Sequence, residues 1–198
     1  MTIRQNILKM FYPLLMMTNK HSDKNAKILF NKNSILPKSS FYNLKSIDNS
    51  GNEISFEQFV GMKVLLVNTA SDCGFTAQFD SLQKLYNDTK QGLIILGFPS
   101  NNFGKQEKGN DEQIIKFCTE NYNIKFPLMK KSVVIKAPDQ NSVYKWLTDP
   151  GSNGWNDHQP DWNFSKYLVN ENGILTHYFG PAVSPLGEEI ELALEHIN

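Results

Sequence analysis

Apolar residues recur along this chain with two different periods, and the alternation between them outlines the fold. The run Val64-Leu65-Leu66-Val67 has no polar interruption and predicts a strand buried on both faces. Phe79, Leu82, Leu85 and Tyr86 then repeat at helical spacing. After a Gln91-Gly92 turn, Leu93-Ile94-Ile95-Leu96-Gly97-Phe98 predicts a second buried strand. Strand, helix and strand joined by short turns form a βαβ unit, whose strands are expected to be parallel.

A second helix is expected after Asn110, which can cap it, with Gln113 completing a capping box. Its apolar face carries Ile114, Ile115, Cys118 and Tyr122. A shorter helix is expected over 142–147, ending near Pro150. Strands over 164–169 and 174–179 flank Asn172-Gly173, a strong hairpin signal. A closing helix starts with Ser184 as N-cap and Pro185 at N1, with the stripe Leu186, Ile190, Leu194 and Ile197. Upstream, residues 41–44 and 53–56 read as a short hairpin around Asn49-Ser50-Gly51. This order predicts an α/β chain with a thioredoxin-like fold, a mixed central sheet flanked by helices. Functional sites in such sheets gather at the carboxyl ends of the parallel strands.

The pattern divides the chain into an N-terminal extension, 1–39, and a domain over 40–198. The extension opens with the apolar stretch Met10-Phe11-Tyr12-Pro13-Leu14-Leu15-Met16-Met17, preceded by Arg4 and Lys9. That stretch is too short to span a bilayer. It has the charge order of a secretory signal, but Pro13 interrupts it and no clean cleavage site follows. A flexible tail or a weak targeting segment is expected. The compartment expected is the cytoplasm, with export left open.

Composition narrows the chemistry by exclusion. Lysine plus arginine equals aspartate plus glutamate, 20 each, so no net field recruits nucleic acid or anionic lipid. Two cysteines without a C-x-x-C pair do not make a disulfide scaffold or a zinc site. His21, His158, His177 and His196 are scattered without ligand spacing, and His177 reads as a surface position. Neither a metal nor a cofactor is expected.

The candidate reactive residue is Cys73, at the tip of the first buried strand and just before a helix. A helix N-terminus there would favour a thiolate. A small buried apolar residue is the alternative for a free cysteine. Four blocks then carry a resemblance to the glutathione peroxidase family. They are residues 68–76 (Asn-Thr-Ala-Ser-Asp-Cys-Gly-Phe-Thr), 98–107 (Phe-Pro-Ser-Asn-Asn-Phe-Gly-Lys-Gln-Glu), 117–122 (Phe-Cys-Thr-Glu-Asn-Tyr) and 162–167 (Trp-Asn-Phe-Ser-Lys-Tyr). The chain resembles that family from about Phe41 to its end.

The resemblance implies a peroxidase with a peroxidatic Cys73 surrounded by Gln106, Trp162 and Asn163. It also implies that Cys118 is the resolving thiol of thioredoxin-dependent members. Where the family usually reads Phe-Pro-Cys-Asn-Gln-Phe-Gly, Ser100 and Asn102 stand here, so a third cysteine has no role. The short segment before the Trp-Asn motif resembles that of monomeric members. The implied reductant is thioredoxin, with glutathione as the rival. A peroxide sensor relaying oxidation to a partner protein also remains open.

The chemistry explains why neutral donors surround such a cysteine. With a pKa of about 8.5, only ~3% of a thiol is ionised at pH 7. Lowering the pKa to about 6 ionises ~90% but costs on the order of tenfold in nucleophilicity, by analogy with disulfide exchange. The net gain is a few-fold, so most of the rate must come from donors that stabilise the departing oxygen. Two primary amides and an indole N–H can do so without titrating. Cys118 projects from the apolar face of a helix, so pairing with Cys73 is expected to require partial unwinding over Phe117–Asn123, where Thr119, Asn121 and Asn123 are poor helix formers.

Overall fold

The structure is a computed structural model, and it describes residues 1–20, 22, 24–89 and 92–195. His21, Gln91, His196 and Ile197, all invoked above, lie outside the described residues. Among the described residues, seven strands and six helices follow one another as α1(Ile3–Asn19), β1(Ile28–Phe30), β2(Lys45–Ile47), β3(Glu53–Ser55), β4(Lys63–Thr69), α2(Gln78–Asp88), β5(Leu93–Pro99), α3(Asp111–Tyr122), α4(Ser142–Leu147), α5(Pro150–Asn153), β6(Lys166–Val169), β7(Leu175–Phe179) and α6(Glu188–Glu195).

The central sheet has the order β1-β7-β6-β4-β5. β4 pairs parallel with β5 and antiparallel with β6, and β6 and β7 form the expected hairpin. The predicted mixed sheet is therefore present, with β4 fully enclosed. Side chains alternate along a strand, so β4 supplies both cores. Leu65 and Val67 join Cys73, Phe79, Leu82, Ile114, Cys118 and Ile190 on one face. Val64 and Leu66 join Phe41, Phe56, Phe98, Tyr144, Trp146 and Tyr178 on the other.

The capping box of α3 forms as read, with Gln113 N–H donating to Asn110 Oδ1 at 2.9 Å and Asn110 N–H to Gln113 Oε1 at 3.0 Å. Three boundaries shift. The upstream hairpin pairs β2 with β3, while Phe41–Asn43 coils into a 3-10 turn capped by Ser40. Strand pairing on β6 begins at Lys166, because residues 162–164 are used for another purpose described below. The last helix starts at Glu188: Ser184 closes a turn instead, its carbonyl accepting from Gly187 N–H at 2.9 Å. His177 is half-buried rather than on the surface, its ring stacked between those of Phe30 and Phe179.

The largest departure is at the N-terminus. The stretch expected to be a flexible tail or a weak targeting segment contains α1 and a strand of the main sheet. A second capping box, Thr2 with Gln5, starts α1, and the helix continues past the exposed Pro13. Tyr12, Leu15 and Met16 pack on the core that contains Cys73. β1 runs antiparallel to β7, and the chain leading into it accepts from Gly180 N–H at Lys27 O, 2.7 Å. β1 is only three residues long, and α1, although 17 residues long, carries a proline in its middle and apolar residues on more than one face, so neither reads as an element of the domain from sequence alone. Among the described residues, no helix is long and apolar enough to cross a membrane.

Candidate active site

β4 ends at Thr69, and the chain turns through 70–77 before α2 begins. Thr76 closes that turn. Its Oγ1 accepts from Cys73 N–H at 3.0 Å and donates to the Ala70 carbonyl at 2.9 Å. The closed turn aims the Phe75 N–H at Cys73 Sγ, 3.4 Å away. α2 starts only at Gln78, so the sulfur takes its backbone donor from this turn and not from the helix.

The segment before β6 forms a second wall. Asn68 Nδ2 donates to the Trp162 carbonyl at 3.0 Å, and Phe164 N–H donates to the Asn68 carbonyl at 2.6 Å. Phe164 adopts φ +69, a left-handed conformation costly for an aromatic residue and characteristic of constrained functional segments. The side chains of Trp162 and Asn163 stand close enough to Cys73 to pull its thiol toward a lower pKa, against the effect of burial. Behind them, Ser165 Oγ donates to the Trp162 carbonyl at 3.0 Å and contacts the Tyr178 hydroxyl at 3.2 Å. That hydroxyl donates to Asp161 Oδ2 at 2.9 Å, the same oxygen that His158 Nε2 meets at 2.8 Å. The fully buried Lys166 amine donates to the carbonyls of Phe164 and Val183 at 2.8 and 2.7 Å, and burial pushes its pKa well below the ordinary value. This wall is held rigidly.

The loop after β5 supplies the third wall. The Gln106 carbonyl accepts from Asp72 N–H at 3.0 Å, and Gln106 Oε1 accepts from Asn163 Nδ2 at 2.9 Å. Four of the residues expected at the site, Cys73, Trp162, Asn163 and Gln106, are thus brought together. Gln106 is joined to this group through Asn163.

Cys118 lies on α3, buried in the same apolar cluster as Cys73, and both thiols are free. α3 ends at Asn123, which takes φ +49 and donates its N–H to the carbonyls of Cys118 and Thr119. Cys118 therefore sits in a capped turn of regular helix.

The electrostatics depart from the expected thiolate. Cys73 is 1% exposed. Burial pushes its thiol above the ordinary value, although the Phe75 N–H, Asn163 and Trp162 pull the other way. Burial pushes the Cys118 thiol up as well, and the charge of Glu107 adds to it. The closed site holds two protonated thiols.

Glu107 closes the 98–107 block. It is 2% exposed, and burial raises its pKa to about 7. Its carboxylate accepts from Ser71 N–H at 2.9 Å and from Ser71 Oγ at 2.8 Å, two residues before Cys73. A glutamate in a loop reads as solvated, and only the fold reveals that this one is enclosed. Among the described residues, no group of three or more His, Cys, Asp or Glu side chains is arranged to hold a metal ion.

The sequence profile of the glutathione peroxidase family matches residues 41–148. The glutathione peroxidase-like peroxiredoxin 2 of Saccharomyces cerevisiae is 42% identical over 158 residues, covering 78% of this chain and 97% of that protein. The glutathione peroxidase homolog BsaA of Staphylococcus epidermidis is 40% identical, covering 80% of this chain and 98% of its own length. Among solved structures, GPX1 of T. cruzi superposes with a TM-score of 0.61 at 26% identity, covering 79% of this chain and 94% of that one. A secreted disulfide oxidoreductase of Mycobacterium tuberculosis matches at 15% identity with a TM-score of 0.51, a likeness of fold alone. The thioredoxin-like layout expected from the element order is the one these structures share.

Proposed function

Because the chain belongs to the glutathione peroxidase family, we propose that its peroxidase chemistry runs through Cys73, with Trp162, Asn163 and Gln106 as the donors and Cys118 as the resolving thiol. The protein is an oxidoreductase that reduces hydroperoxides. The observation that carries the residue assignment is that Trp162 and Asn163 both pull on the Cys73 thiol while Asn163 is hydrogen-bonded to Gln106 at 2.9 Å.

In the first step the Cys73 sulfur attacks the terminal oxygen of the hydroperoxide. An S–O bond forms and the O–O bond breaks, leaving a sulfenic acid. The departing oxygen takes the thiol proton and leaves as water or an alcohol. Trp162 and Asn163 donate to charge developing on that oxygen, and Gln106 holds the Asn163 amide in position. Because the resting thiol is protonated, this stabilisation matters more than prior ionisation of Cys73. In the second step the Cys118 thiol displaces the hydroxyl of the sulfenic acid, releasing water and forming a Cys73–Cys118 disulfide. For the sulfurs to meet, the end of α3 must unwind past its Asn123 cap. Thioredoxin then reduces the disulfide by dithiol exchange.

Two free thiols in one core fit a reducing compartment, the cytoplasm, and a monomer is the form proposed. Direct reduction by glutathione would leave Cys118 a passive core residue. Steady-state peroxide consumption separates the two readings when wild type and Cys118→Ser are each supplied with thioredoxin or with glutathione. Loss of the thioredoxin-coupled rate in the variant is the expected result. Retention of that rate removes Cys118 from the mechanism.

A further inference from the structure

α1 straps both redox segments at once. On the Cys73 side, Gln5 Nε2 donates to the Ser71 carbonyl at 3.0 Å and Arg4 pairs with Asp72 at 3.1 Å. Leu15 lies so close to Gly74 that a Cβ added there would stand 3.0 Å from Leu15 Cδ2. On the Cys118 side, the Met1 amino group donates to Asn121 Oδ1 at 3.0 Å, and the Lys9 ammonium group lies 4.5 Å from the centre of the Tyr122 ring. Lys9 also pairs with Asp80 at 2.7 Å. With this helix in place, Cys73 is closed to solvent and the end of α3, which the proposed resolving step unwinds, is tied down.

The same helix turns a second apolar face to water. Ile3, Ile7, Met10, Leu14 and Met17 follow the helical repeat, and Phe11 adjoins them. These six side chains are 49–81% exposed. Residues 1–20 carry Arg4, Lys9, Lys20 and the amino terminus but no aspartate or glutamate. An apolar stripe on an all-cationic helix too short to span a bilayer is the pattern of a segment that lies in a membrane interface. Its cations are held by Asp72 and Asp80 in the docked state, and anionic headgroups offer them an alternative. The neutral balance of the whole chain, which argued against recruitment by anionic lipid, conceals this local concentration of charge.

We propose that α1 is a removable cover over the redox site and that an anionic lipid surface is what lifts it. Docked on the domain, the helix buries one apolar face and leaves the other in water. Released onto a bilayer, it buries the outward stripe in the interface and exchanges two carboxylate partners for lipid phosphates. The uncovered Cys73 is then open to hydroperoxide, and α3 is free to unwind. The chain remains tethered because β1 stays paired with β7. This inference goes beyond the peroxidase reading, and it is tested without measuring turnover.

The full-length reduced protein is mixed with phosphatidylcholine vesicles or with equimolar phosphatidylcholine–phosphatidylglycerol vesicles. Co-sedimentation and iodoacetamide labelling of Cys73, read by peptide mass spectrometry, are followed together. The expected result is sedimentation with the anionic vesicles only, weakened by salt, and labelling faster there by about tenfold as the open population grows. Ile7→Ser/Phe11→Ser/Leu14→Ser should neither sediment nor respond. Arg4→Gln/Lys9→Gln should label faster than wild type with no vesicles present, because it removes the two ion pairs that hold the docked state. Equal labelling with and without anionic vesicles, or equal binding to neutral ones, would overturn the proposal. So would concentration-dependent self-association through the Ile7, Phe11 and Leu14 face without lipid, since a second copy would then be its occupant.

Discussion

Replacing Glu107 with glutamine isolates one buried charge, and its effect on stability can be worked out in advance. The wild-type carboxyl moves from 4.5 to about 7 because burial penalises its ionised form. The folded protein therefore holds this proton more tightly than the unfolded chain does. Its contribution to stability is fully present below pH 4.5, declines as pH rises toward 7, and is lost above that. At about 1.4 kcal/mol per tenfold, the whole change amounts to about 3 kcal/mol, an upper value because residual water near the carboxylate would reduce it. Glutamine keeps the shape and can still bond Ser71, accepting from its N–H and donating to its hydroxyl oxygen. Only the titration disappears. Urea unfolding of both proteins at pH 4 and pH 8 tests this, because other titrating groups contribute equally to each and cancel in the comparison. Wild type should lose about 3 kcal/mol more than Glu107→Gln between the two pH values. Parallel stability profiles for the two proteins would refute the burial argument.

Other consequences follow from the same geometry. Asn163→Ala removes a donor to the leaving oxygen and releases Gln106, so the rate constant for peroxide attack, read in a single-turnover assay, should fall by about 10²-fold with folding intact. Oxidation by one equivalent of peroxide should raise hydrogen exchange over residues 117–123, and equal protection in both redox states would contradict the unwinding of α3. Asn110→Ala deletes half of a formed capping box and should cost about 1 kcal/mol in urea unfolding. Leu66→Ala empties a fully buried site in the enclosed strand and should cost about 2–5 kcal/mol by the same measurement.

Local chemistry made much of this protein legible in its sequence. Val64–Val67 and Leu93–Phe98 are apolar without alternation because both faces of those strands are buried, and that pattern survives any rearrangement around them. Asn110 with Gln113 and Asn172 with Gly173 act within a few residues, so their caps and turns could be read directly. The four motif blocks likewise placed Cys73, Gln106, Trp162 and Asn163 in one neighbourhood.

Contacts between distant segments were decided only by the tertiary structure. Cys73 reads as a thiol at a helix start, but the fold encloses it, and burial pushes its thiol above the ordinary value. Glu107 reads as a loop carboxylate, and its pKa near 7 exists only because the loop folds against Ser71. Residues 1–39 read as a tail, because the helix is held by groups as remote as Asp72 and Asn121 and the strand by pairing with β7. Periodicity reports which face of an element is apolar. It cannot report which partner that face will meet, and burial by that partner sets the ionisation of a thiol or a carboxyl.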